Sequence, residues 1–393
     1  MKERTAEFDG ARVIRTALVF AAVGALVVVL GAFVDVRRLA ASYLAAWSCA
    51  VCLAVGALVL LLSCHAMRAG WPIAVRRLLE TMVAPLPLLA VLFLPIIPAL
   101  PMLFPWVHPE QVADEHARHV IEHKAAYLNP GFFVVRAAIY FAIWIGLAAV
   151  LRRWSFEQDR APREGASEKM YVLSGFALPV VAITIVFSSF DWLMSVEATW
   201  YSTMFPVYVF ATGFVGALAL LTSLAYAAQR SGYLPGLDAS HYYALGRLLL
   251  AFTIFWAYAA FFQFMIIWMA NKPDEVAYFL DRWEGPWRAP TMLLVFARFI
   301  VPFILLMPYR IKRRPRQLTG MAIWIIVATY IDVHWLVIPA LHRRGFPYHW
   351  LDFATLALVG GLSVAFAAWR LRGRPIVPIQ DPRIDEAFAY RSV

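Results

Sequence analysis

An all-α, polytopic membrane helix bundle is the fold class this sequence predicts, on three observations. Of its 393 residues 62% are hydrophobic and only 15% charged, its mean hydropathy is +0.68, and apolar runs recur along its length. Ordinary soluble domains are about 45–50% apolar and roughly a quarter charged. A water-soluble fold of this size could not hide so much apolar surface beneath a polar exterior. The composition therefore excludes a soluble enzyme, a coiled coil and a disordered scaffold.

A helix needs about 20 apolar residues to cross the hydrocarbon, and about ten runs qualify. They are roughly 13–34, 43–66, 83–105, 131–151, 171–190, 202–226, 246–270, 290–309, 318–340 and 351–371. The third run carries Pro85, Pro87, Pro95, Pro98, Pro101 and Pro105. Proline inside a helix frees carbonyls and bends the axis, so this run is the one least expected to be straight. The first run lacks an Ala-x-Ala exit and leads into further spans, which reads as a retained helix and not a cleaved signal.

Orientation follows from the basic residues, which accumulate in cytoplasmic loops. With the N-terminus inside, 24 of the 35 Lys and Arg fall on the inner side, from Lys2, Arg4, Arg12 and Arg15 through Arg383 and Arg391. Ten fall outside, and Arg298 lies within a span. Both termini are then cytoplasmic, which requires an even number of spans. The formal charge of +10 is read as topology signal; no nucleic acid is expected, since no segment outside the membrane is large enough for such a fold.

The expected organisation is a single ten-helix membrane domain over residues 1–374 and a proline-containing, extended C-terminal tail over 375–393. Two connections are long. Residues 106–130 form an outer loop with an acidic, helical, histidine-bearing stretch, and residues 152–170 form a charged inner linker. No convincing internal repeat is present.

The three cysteines, Cys49, Cys52 and Cys64, share one apolar run, which excludes a disulfide framework and an iron–sulfur cluster bound by this chain alone. No Cys-x-x-Cys-His attaches a c-type haem. Only His65 and His334 lie in apolar runs, on opposite sides, so a two-histidine haem does not fit. His116, His119 and His123 fall on one helical face and are a minor candidate for zinc or copper; the plainer reading is an interfacial helix. The aromatic run from Phe252 to Trp268 packs as core or lines a quinone or lipid tail. No phosphate loop, dinucleotide fingerprint or nucleophile–base pattern occurs.

Polar residues at membrane depth are the most informative. They cost a few kcal/mol at the bilayer centre, and those that persist pair, line wet cavities or carry function. Asp191, Glu197, Gln263, Arg298, Asp332 and His334 share the outer third, from four helices and one turn. The expectation is that Arg298 pairs with Asp332 or Asp191 and that the remaining carboxylates line a polar, proton-accessible site. The alternative is a set of interfacial residues, each solvated separately.

Three stretches carry a resemblance: Lys124-Ala-Ala-Tyr-Leu-Asn-Pro-Gly-Phe-Phe-Val-Val-Arg136, Phe190-Asp-Trp-Leu-Met-Ser-Val-Glu-Ala-Thr-Trp-Tyr-Ser-Thr-Met-Phe205 and Tyr330-Ile-Asp-Val-His-Trp-Leu-Val-Ile-Pro339. Together they resemble the second large membrane subunit of alternative complex III, a quinol:cytochrome c oxidoreductase, in the polysulfide-reductase membrane-anchor family. The resemblance implies a subunit without redox centres of its own. Its partners would be a sister polytopic subunit, multihaem c-type cytochromes and an iron–sulfur subunit, with lipids around them. Haem c and iron–sulfur clusters would sit in those partners, and quinone binding or proton conduction would fall to the polar residues named above. A secondary transporter with a buried Arg/carboxylate site is the competing class, and a purely structural anchor the third.

Overall fold

The computed structural model describes residues 7–160, 165–343 and 346–392; Lys2, Arg4, Arg163 and Arg344 of the charge count lie outside them. Helix α1 (Ala11–Val34) follows a left-handed Gly10 and presents most of its apolar surface outward, as a lipid-facing helix does. It packs antiparallel on α16 (Trp350–Leu371) through small residues. A Cβ at Gly24 would stand 2.7 Å from the Ala354 carbonyl, and one at Gly361 the same distance from the Ala17 carbonyl. Close backbone approach of this kind is how helices associate without a hydrophobic driving force.

Helix α2 (Val36–Ala66) is the axis of the bundle, with 83% of its most apolar window buried. Asp35 caps its start by accepting from the Arg38 N–H at 2.9 Å. It crosses α9 where two glycines meet: a Cβ at Gly213 would lie 2.6 Å from the Cys52 carbonyl, and one at Gly56 would lie 2.5 Å from the Gly213 carbonyl.

The proline-rich third run breaks, as its sequence requires. A 3-10 turn (Trp71–Val75), α3 (Arg76–Met82) and α4 (Leu86–Val91) form one limb, α5 (Ile96–Leu103) the other, and the two meet at 74°. The break leaves carbonyls without their helical donors. The Phe93 N–H turns to Ala90 O and the Ile96 N–H to Phe93 O. Side chains of α2 fill the gap: Trp47 Nε1 donates to Leu89 O at 2.9 Å and Tyr43 OH to Leu92 O at 2.7 Å. Neighbouring helices commonly satisfy freed backbone groups at membrane depth in this way.

Two 3-10 turns and α6 (Glu115–His123) fill the outer loop. Helix α7 (Pro130–Arg160) runs well past the expected end of its span. Much of the stretch expected to be a solvated linker is thus helix, because Arg152, Ser155 and Gln158 share a face and are buried. Arg152 donates to the Glu80 carbonyl, and Arg76 and Arg77 both pair with Glu80 (3.4 and 2.8 Å). Helix α8 (Ala166–Trp192) leads into a 3-10 turn (Met194–Glu197), followed by α9 (Phe205–Arg230), α10 (Ala239–Ala270) and the short α11 (Pro273–Trp283). The next span is composite: α12 (Arg288–Val295), a π-helical turn (Phe296–Ile300) and α13 (Val301–Leu306). A single turn, α14 (Tyr309–Lys312), precedes α15 (Pro315–Leu341) and α16 (Trp350–Leu371).

The tail is folded back and not simply extended. Gly373 N–H donates to Phe8 O at 2.9 Å and Phe8 N–H to Arg374 O at 3.0 Å, Ile376 and Val377 are buried, and Asp381 meets Arg76. A last helix, α17 (Ile384–Ala389), accepts from His241 Nε2 at the Ala387 carbonyl (2.8 Å). Residues 8 and 373 therefore lie at one end of the bundle, which demands an even number of crossings. Among the described residues nine helices are long and apolar enough to cross a membrane, and the bent pair makes ten. The end holding residues 8 and 373 is the one the basic residues predict to be cytoplasmic.

Two outcomes test this packing. Gly213→Ala pushes a methyl into the α2 backbone and is expected to lose about 1–3 kcal/mol, whereas Gly175→Ala, with nothing within 4 Å, stays within about 1 kcal/mol of the parent; thermal melts in detergent compare them. At the start of α10, Asp238 accepts from the Ser240 N–H and from His241. Burial pushes its carboxyl up, but those hydrogen bonds outweigh it and hold its pKa below the ordinary value. A depressed carboxylate contributes stability above its unfolded pKa and loses it as pH falls through the folded one. Asp238→Ala should thus cost about 1 kcal/mol at pH 7, with the difference from the parent beginning to shrink only as pH falls below about 4.

Candidate functional site

The end of the bundle opposite residues 8 and 373 holds a layer of buried guanidinium–carboxylate pairs. At its centre lies Asp332 of α15, fully buried beside a buried Arg298. Arg298 Nε stands 3.4 Å from Asp332 Oδ2. The rest of the guanidinium bonds elsewhere, through Nη1 to Thr329 Oγ1 (2.5 Å) and Ile325 O (3.3 Å), and through Nη2 to Thr212 O (2.9 Å). Asp332 accepts from Tyr208 OH at Oδ1, and from Thr212 Oγ1 (2.8 Å) and Trp256 Nε1 (3.0 Å) at Oδ2. Arg298 sits in the π-helical turn Phe296–Ile300, an insertion into a regular helix that is frequent at functional sites.

The second expected partner, Asp191, belongs to a different pair. Arg136 of α7 grips it with both arms, Nε to Oδ2 and Nη2 to Oδ1, each at 2.8 Å, and Tyr140 OH adds a bond at 2.8 Å. The Arg136 guanidinium also lies 3.8 Å from the Tyr127 ring centroid. Glu197 pairs with Arg282 of α11 at 3.0 Å, and Arg282 stacks over Tyr278 at 3.5 Å. His334 points away from Asp332, to Asp352 Oδ2 at 3.1 Å. Arg38 Nη2 reaches that same oxygen at 2.7 Å, and Ser42 Oγ donates to Oδ1 at 2.5 Å.

Of the six residues singled out in the sequence, Arg298 and Asp332 come together, while Asp191, Glu197 and His334 each find another partner. Gln263 is buried with its Oε1 unpartnered. Of those other partners, Arg136 and Asp352 lie near the starts of runs and Arg38 and Arg282 in the connections between them, where charge reads as ordinary boundary or loop. Arg136 carried a usable signal, since it stands six residues inside α7. Arg38 had none, because α2 starts seven residues before the apolar run that marks it.

The histidines of α6 separate. His119 and His123 meet Nε2 to Nε2 at 3.1 Å, while His116 turns toward Asp274 at 4.0 Å. Among the described residues no group of three or more His, Cys, Asp or Glu is placed to hold a metal ion. Below α6, Lys124 Nζ donates to the Ala198 carbonyl at 2.6 Å, and burial holds its pKa below the usual lysine value.

Chemically, each of these carboxylates has a cation, and Asp191, Asp332 and Asp352 have further donors, so the layer keeps charge at membrane depth without leaving any of it alone. Removing one member of such a pair strands the other. Arg298→Met or Asp332→Leu alone should therefore cost about 3–5 kcal/mol, and the double substitution should recover most of that loss. Detergent melts of the two single variants and the double variant give the coupling.

No family model matches the sequence, and no curated protein matches it either. The fold itself identifies a multi-pass, all-α membrane protein of nine to ten spans.

Proposed function

We propose that this chain is an integral membrane subunit of a quinol-oxidising respiratory complex of the alternative complex III type, contributing to quinol oxidation or proton conduction. Electrons would pass to partner iron–sulfur and c-haem subunits, none of them held by this chain. One observation carries the reading. The three stretches that bear the resemblance all deliver residues to the same charged layer: the first ends on Arg136, the second holds Asp191 and Glu197, and the third holds Asp332 and His334. Arg136 and Asp191 moreover bind each other across two of those stretches. Carboxylates buried beside hydroxyl donors are the usual material of proton relays.

A second reading, a secondary transporter, is favoured by other observations. Transporters place ionisable residues among discontinuous helices, and here a span breaks at 74° while another contains the π-helical turn that carries Arg298. Geometry alone speaks more directly for this class; the subunit reading draws in addition on the resemblance.

Purification of the tagged chain from native membranes in mild detergent separates the two. A haem c absorbance band and several copurifying subunits are expected; the chain emerging alone, and moving a solute when reconstituted alone, would establish the transporter. In the complex, Asp191→Asn, Glu197→Gln and Asp332→Asn combined should lower quinol oxidation or proton release by roughly a hundredfold or more, the range of a lost proton-transfer group.

A further inference from the structure

A wedge between α2, α8 and α9 contains a small cavity that the charge pairs leave unused. Its walls are mainly apolar, Val51 and Val55 of α2, Ile185 of α8 and Val209 and Phe210 of α9 among them, but Ser48 and Cys52 of α2 and Ser188, Ser189 and Trp192 of α8 line it too. Two of these side chains hold polar atoms that are buried and unpartnered: Ser48 Oγ and Trp192 Nε1. Both residues are more than nine-tenths buried. The Ser188 and Ser189 hydroxyls donate to carbonyls of their own helix, to Ile185 O at 3.2 and 2.7 Å. Their oxygens remain able to accept. The cavity thus presents one obligate donor, one hydroxyl able to act either way, and two acceptors.

We propose that this cavity is a hydration site, occupied by a short cluster of water molecules bound to Trp192 Nε1 and Ser48 Oγ. The cavity volume is about 40 Å³, above the about 10–15 Å³ that holding a water requires. Water both donates and accepts, which suits the polar atoms on an otherwise apolar wall; a lipid or quinone chain would leave the indole N–H and the serine hydroxyl unsatisfied at membrane depth.

The position gives the cluster a role, which rests on the proton reading of the preceding section. Trp192 directly follows Asp191, the partner of Arg136. On the opposite wall Val209 and Gly213 flank Tyr208 and Thr212, which both hold Asp332. Cys52 lies within electrostatic range of Asp332. Water here stands between the two buried ion pairs and supplies the polar continuity that the protein side chains lack.

Radiolytic hydroxyl footprinting, in which ordered water is activated in place, tests the site in the intact purified protein. Trp47 is the internal control: it is fully buried, touches Trp192 at 4.9 Å between rings, but donates its Nε1 to Leu89 O. Oxidation of Trp192 and Cys52 is expected to run at least roughly fivefold faster than that of Trp47, and Ser48→Val should cut it severalfold. Equal rates at Trp192 and Trp47 in the parent protein would overturn the site, and point to an apolar chain in the wedge. Fast oxidation that Ser48→Val abolishes, with proton movement unchanged in that variant, keeps the hydration site and removes the proton role instead.

Discussion

A guanidinium cannot be left alone at membrane depth, and this requirement arranges one end of the bundle. Four arginines, each from a different helix, reach four carboxylates: Arg38 to Asp352, Arg136 to Asp191, Arg282 to Glu197 and Arg298 to Asp332. Every pair joins two different elements, α2 to α16, α7 to α8, α11 to the turn after α8, and the π-helical span to α15. The pairs therefore act as cross-links as well as charge carriers. Net gain from a buried pair is small, but loss of one partner is expensive, so the layer fixes which helices stand side by side more than it adds to stability.

Helix α2 makes that arrangement possible. It is the helix that meets α8, α9, α15 and α16, and its small residues let α9 approach to backbone contact at Gly56 and Gly213. Its indole and phenol, Trp47 and Tyr43, also stabilise the break in the proline-rich run by taking up carbonyls at Leu89 and Leu92. A straight third span would have needed no such donors. The bend and the aromatic donors of α2 belong to one solution, in which backbone polarity at depth is satisfied by a neighbour.

The spans were legible because length and hydropathy alone decide them; all ten runs coincide with helices or, for the third, with a broken pair. The break too was legible, from its prolines. Depth made Arg298 legible as a group needing a carboxylate, and Asp332 met that need. Asp191 could not be assigned its partner from sequence, since nothing local distinguishes Arg298 from Arg136; only the packing of α7 on α8 does. His334 misled for a geometric reason. Two positions from Asp332 on a helix, it points to another face, and so serves Asp352. The inner ends of α7 and the tail were misjudged because charge there reads as solvation, yet Arg76, Arg77 and Arg152 are buried around Glu80, a tertiary fact invisible to a count of charges.

The pairs differ in how each carboxylate is held, and that difference decides what each one ties together. Asp191 has both oxygens engaged by a parallel, two-armed arginine, the strongest geometry such a pair adopts. Asp332 has no such clamp. Its cation stands off at 3.4 Å, with the Arg298 Nε making no hydrogen bond, and its oxygens are held instead by a phenol, a threonine and an indole. Arg298 for its part spends its other nitrogens on Thr329 and on the carbonyls of Ile325 and Thr212, so its position is set by more than Asp332. The charge of Asp332 is still what offsets the buried guanidinium, and for that reason loss of either partner is costly. The Arg136–Asp191 pair ties α7 to α8 through the ions themselves, whereas the Asp332 site ties α9, α10 and α15 together through the hydroxyls and the indole around the carboxylate.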